Sequence, residues 1–167
     1  MTLEALNALP LEALREALRR CCGSTRWVEL MAARRPYPST RELLAAADEA
    51  DRALSEGDWL EAFAHHPRIG DVASLRSKFA STAAWAEGEQ SGTSLASEDT
   101  LQALAQGNDA YFEKFGFIFI VCATGKSAEE MLALLRARLP NTPGDELPVA
   151  AAEQSKITRL RLEKLLS

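Results

Sequence analysis

Histidine is almost missing from this chain. Only two occur among 167 residues, His65 and His66, side by side. With so few, and with no HExxH pattern or third ligand at metal spacing, a histidine-based metal site is not expected. Cysteine is also scarce. Cys21, Cys22 and Cys122 are an odd set, and two are adjacent, which suits neither a disulfide framework nor a CxxC site. Reduced structural thiols in a cytoplasmic protein are the expectation. No long apolar run exists. FGFIFIVCA, the longest, is too short to cross a membrane as a helix, so no membrane partner is expected. The opening MTLEALNALP carries Glu4 and a helix signal, unlike a secretion signal. Basic charge is not in excess. A net charge of −5 argues against a nucleic-acid partner. Valine and isoleucine are few, which argues against a sheet.

Alanine and leucine are abundant, and 47% of residues are apolar. The expectation is an all-α fold, one domain over 1–167, with about eight helices. Residues 2–22 read as helix interrupted at Pro10 and stopped by Gly23. Ser24 or Thr25 starts a helix carrying Trp27, Leu30 and Met31, which the RPYP segment ends. Ser39 and Glu42 form a capping box for the next, with Gly57 closing it. Asp58 is expected to cap a short helix with Trp59, Leu60 and Phe63 inward, running into His65 and His66. Asp71 caps a helix through Val72, Leu75 and Phe79. Residues 97–115 are helical up to Gly116, and Ser127 caps another helix. LPNTPGDELP reads as a loop. Residues 150–166 form the last helix, with Ile157 and Leu160 inward. FIFIVCA, at 117–123, is strand-like but alone, so it reads as a buried extended link between helices.

Four stretches invite chemistry. Pro67 disfavours helical geometry at His66, placing that residue at a helix end. His66 is then either a surface histidine beside a helix carbonyl or a proton-exchanging group. In AEGEQSG, a carboxylate beside an amide between glycines suits a ligand rich in N–H and C=O groups; a solvated loop is the plainer reading. In KFGFIFIVCATG, buried extended backbone needs partners, which a polar heterocycle or a neighbouring segment would supply. In KITRLRL, Arg161 falls beside the apolar face while Arg159 points away. Arg161 serves either an anionic ligand or a structural ion pair.

The ordered set HPRIG, E-Q, FGFxFxxCA and ITRLRL, with WVELMAARRPYPS and DWLEAFAHHPRIGD, resembles the OHCU decarboxylase family over nearly the whole chain. That resemblance implies an all-helical homodimer without a cofactor. It implies decarboxylation of 2-oxo-4-hydroxy-4-carboxy-5-ureidoimidazoline to (S)-allantoin in urate degradation. By resemblance His66 and Glu89 are catalytic, and His65 is a bystander. Pro67 shapes the pocket, and Gln90 and Arg161 bind substrate. Phe119, Ile120, Val121, Cys122 and Ala123 meet the ligand mainly through backbone. One position departs: Ala86 stands where the family commonly has serine, three residues before the glutamate. Two other functions fit the same residues: a non-enzymatic dimerising adaptor, and a lyase for a related ureido compound or hydantoin.

Overall fold

Proline and serine set the helix boundaries. The computed structural model describes residues 1–68, 71–86 and 97–167, without the side chains of 80–86. Nine helices and no strand occur among the described residues. α1 (Leu3–Ala8) and α2 (Leu11–Cys21) are separate, split at Pro10, which accounts for the ninth helix. α3 (Thr25–Ala33) is capped by Ser24, whose hydroxyl accepts the Trp27 N–H at 3.2 Å. α4 (Thr40–Arg52) opens with the expected Ser39 cap, accepting the Glu42 N–H at 3.1 Å. Each such cap contributes about 1 kcal/mol.

Gly57 does not close α4. Ala53 does, and Gly57 lies in the first turn of α5 (Glu56–Ala64). Ser55 is the N-cap, and Asp58 is its partner three residues on, accepting the Ser55 N–H at 2.9 Å. A serine that competes for local backbone groups outranks a glycine with no strained turn to fill. Leu60 is not inward either, being 39% exposed; Ala62 and Phe63 carry the buried face of α5.

Two sets of residues form compact groups. The first comprises Met1–His66, Ile120–Cys122 and Leu147–Ser167. In it α3 packs on α2, α4 and α5. Leu6, Leu14, Leu18, Trp27, Met31, Leu43 and Leu162 fill its core. Each such side chain contributes roughly 1.5–3 kcal/mol by leaving water. Polar groups close it: the Tyr37 hydroxyl donates to Met31 O at 2.6 Å, and Glu61 accepts both the Thr25 N–H and hydroxyl at 2.7 Å.

The second group comprises Pro67–Phe119 and Ala123–Glu146. α6 (Val72–Ala86) packs on α7 (Glu98–Phe115), and α7 on α8 (Ala128–Arg138). Gly116, at φ 80°, stops α7 in the left-handed conformation that glycine adopts without strain. Arg138 is buried, paired with the fully buried Glu146 at 2.5 Å and donating to the Tyr111 hydroxyl at 3.3 Å.

The segment expected as a loop, 139–148, is helical from Pro143. It opens α9 (Pro143–Leu165), which contains Pro148. Pro143 sits at the first helical position, where its missing N–H costs nothing. The Thr142 side chain accepts the Asp145 N–H at 3.2 Å. The Arg138 pair holds Glu146 in the helical turn despite Pro148. The buried stripe of α9 is Ala150, Gln154, Thr158 and Leu162, not Ile157 and Leu160, which are half-buried flanks. Residues 118–123 form no helix or strand and link α7 to α8; of them only Ile120 is buried and the rest are half-buried, so the link is less enclosed than its composition indicates.

Candidate active site

The end of α5 is tightened. The N–H of His65 bonds Ala62 O and that of His66 bonds Phe63 O, both at 3.2 Å, an i−3 spacing. Pro67 then prevents another turn. His65 lies against the junction of α2 and α3, at Gly23, and its side chain is exposed. His66 points instead to α9: its Nε2 lies 2.6 Å from Gln154 Oε1. Gln154 Nε2 in turn donates to Thr158 Oγ1 at 3.1 Å. Burial holds the His66 pKa below the ordinary histidine value; the Gln154 bond opposes this, and the charges of Arg161 and His65 add to it. His66 is therefore neutral at pH 7.

The extended link meets α9 one residue earlier. The Cys122 N–H donates to Glu153 Oε1 at 3.1 Å. A half-buried backbone N–H thus finds a carboxylate of this chain. Ile120 is buried, and Val121, Cys122 and Ala123 are half-buried. The half-buried Phe119 ring lies edge-on to Tyr111 at 5.2 Å and beneath the Arg138 guanidinium at 4.6 Å. Pro67 is exposed.

Arg161 stands seven residues after Gln154, two turns along the same face of α9. Its Nη1 donates to Arg20 O at 3.4 Å, and it forms no ion pair with a described residue. With Ala17, Arg20, Cys21, Lys164 and Leu165 it lines an open groove of about 340 Å³. Arg159, as its spacing implies, turns outward to Asp48 and Glu163, at 3.7 and 3.5 Å.

The structure thus brings His66 and the Cys122 backbone to adjacent residues of α9, which also carries Arg161. Glu89 and Gln90 lie outside the described residues, as does the side chain of Ala86. The sequence reading missed Glu153, Gln154 and Thr158. Their signal was available: Gln154 and Thr158 are four apart beside an apolar run, but the aliphatic Ile157 and Leu160 masked that face.

Among the described residues the fold is all-helical, with a half-buried histidine docked on α9. The chain belongs to the OHCU decarboxylase family, whose model matches residues 7–163. It is 42% identical over 88% of its length to the uric acid degradation bifunctional protein TTL of Arabidopsis thaliana, and spans 45% of that relative. It is 32% identical to the 2-oxo-4-hydroxy-4-carboxy-5-ureidoimidazoline decarboxylase of Amia calva, over 79% of this chain and 75% of the relative. It superposes with TM-score 0.72 and 39% identity on a crystal structure of OHCU decarboxylase in the presence of (S)-allantoin, covering 89% of this chain and 95% of the other.

Proposed function

We propose that this chain decarboxylates 2-oxo-4-hydroxy-4-carboxy-5-ureidoimidazoline to (S)-allantoin. The observation that carries the reading is the attachment of neutral His66 and the Cys122 backbone to adjacent residues of α9, the helix that also carries Arg161. A neutral imidazole is ready to take a proton, and a guanidinium without a carboxylate partner among the described residues suits a carbonyl or carboxylate of a small ligand.

The substrate supplies its own electron sink. When the C–COO⁻ bond breaks, its electron pair moves into the adjacent C=N, and that nitrogen takes a proton. The hydroxyl-bearing carbon becomes an enol. Loss of the hydroxyl proton and addition of a proton to the neighbouring ring carbon then give allantoin. One proton is taken up overall and CO2 leaves. His66 handles the hydroxyl proton. Arg161 orients the ring, and the Ile120–Cys122 backbone borders it. By family resemblance Glu89 accepts ring or ureido N–H groups and Gln90 holds a carbonyl. The chain works as a single domain, as a homodimer, in the cytoplasm and without a cofactor.

Circular dichroism tests this. The substrate is generated in situ from urate, and (S)-allantoin is followed with wild type, His66→Ala and His65→Ala. Wild type and His65→Ala should give rapid single-enantiomer product, and His66→Ala should be slower by roughly 10²–10⁴. Slow racemic decay unaffected by wild-type protein would remove the proposal.

A further inference from the structure

We propose that Gln154 is a positioning residue that fixes His66 as the Nε2–H tautomer, which makes Nδ1 the atom that exchanges the proton. The inference rests on the reading of His66 as catalytic. An amide oxygen only accepts, so Oε1 at 2.6 Å requires the proton on Nε2. The question is then what keeps the amide from turning over. Gln154 Nε2 faces Thr158 Oγ1 at 3.1 Å. Thr158 Oγ1 offers the amide its lone pairs. Those lone pairs select the N–H side of the amide, and the oxygen is left for His66.

Thr158 and Gln154 are shielded from solvent, at 1% and 6% exposure, so water competes little for these bonds. A neutral imidazole holds one proton. With it on Nε2, Nδ1 carries the lone pair, and no described residue hydrogen-bonds to Nδ1. The groups facing His66 keep it neutral at rest. Arg161 on α9 and the adjacent His65 both oppose a charged ring. Glu153, the nearest acid along α9, is engaged by the Cys122 N–H and by Lys156. When Nδ1 takes the substrate hydroxyl proton, the O–H bond breaks and an N–H bond forms. The Nε2–H···Oε1 bond then becomes charge-assisted and strengthens as the reaction proceeds.

The test joins nitrogen NMR with kinetics. In ¹⁵N-labelled wild type above the His66 pKa, His66 should show a pyrrole-like Nε2 and a pyridine-like Nδ1; the reverse pattern overturns the proposal without any variant. Gln154→Leu should mix the tautomers and lower kcat about tenfold, the equivalent of one hydrogen bond, with KM unchanged. Gln154→Glu restores the acceptor. It should recover the tautomer and move the acidic limb of the pH–rate profile upward, because a carboxylate favours the imidazolium. A Gln154→Leu protein with wild-type tautomer and kcat also overturns it. Normal turnover by His66→Ala would instead defeat the catalytic reading, a separate result from the tautomer spectrum.

Discussion

His65 packs flush on Gly23: a Cβ added to Gly23 would stand 2.3 Å from His65 Cβ and 2.4 Å from its Cγ. Those are distances that carbon atoms do not share, and one of them involves a Cβ fixed to the backbone. Gly23→Ala should therefore destabilise the protein by about 1–3 kcal/mol, the usual cost of overpacking. His65→Gly in the same background should recover most of that loss. Urea unfolding midpoints of the two single variants and the double variant decide it. Additive losses would show that the pair does not interact.

Arg161→Lys should weaken (S)-allantoin binding by about 1–3 kcal/mol, the range for a lost charged hydrogen bond. Lysine keeps the charge but lacks the planar fork. The melting temperature should stay unchanged, because the contact to Arg20 O is long, at 3.4 Å. Calorimetric titration and thermal unfolding of one variant settle both points. Normal binding with a lower melting temperature would mark Arg161 as structural.

Asp51 is pushed up to about 6, chiefly by burial, against an ordinary value of 3.8. The folded chain then binds a proton more tightly than the unfolded chain between about pH 4 and 6. Its contribution to stability is full below that window and is lost as pH rises through 6. Asp51→Asn should raise stability at pH 7–8 by about 1–2 kcal/mol, after allowing for solvent around a half-buried group. It should also flatten the stability profile from pH 4 to 6. Chemical unfolding across that range would expose an unchanged slope.

Burial pushes the Cys21 and Cys22 thiols up to about 11, and both are within 2% of complete burial. Alkylation needs an accessible thiolate. At pH 7.5 an alkylating reagent should modify the half-buried Cys122 first and the other two only after denaturant is added. Mass spectrometry of the timed reaction distinguishes this from simultaneous labelling of all three.

Glu146→Ala should cost about 3–5 kcal/mol, since it leaves the buried Arg138 guanidinium without its carboxylate. Replacing both, as Arg138→Met with Glu146→Leu, should cost much less, because no charge is then buried. Equal losses in the single and double variants, measured by denaturant unfolding, would contradict this account of the pair.

Local chemistry alone determined a great deal. Serines 24, 39 and 127 cap the helices their spacing marks, Pro10 divides the first, and Gly116 ends α7. These are short-range effects, fixed by hydrogen bonds and sterics within a few residues. Pro67 likewise places His66 just past a helix end before any tertiary contact is considered. What the sequence left open depended on partners distant along the chain. Pro143–Glu146 reads as loop until the buried Arg138 pairs with Glu146. Gln154 and Thr158 read as a polar flank until His66, 88 residues away from Gln154, meets them. Gly23 reads as a helix stop until His65 lies on it. Polar residues can face inward only when a specific partner meets them there, and which partner arrives is decided by packing. His66 could be picked out from its neighbour Pro67; the choice of which of its nitrogens holds the proton belongs to Gln154 and the tertiary structure.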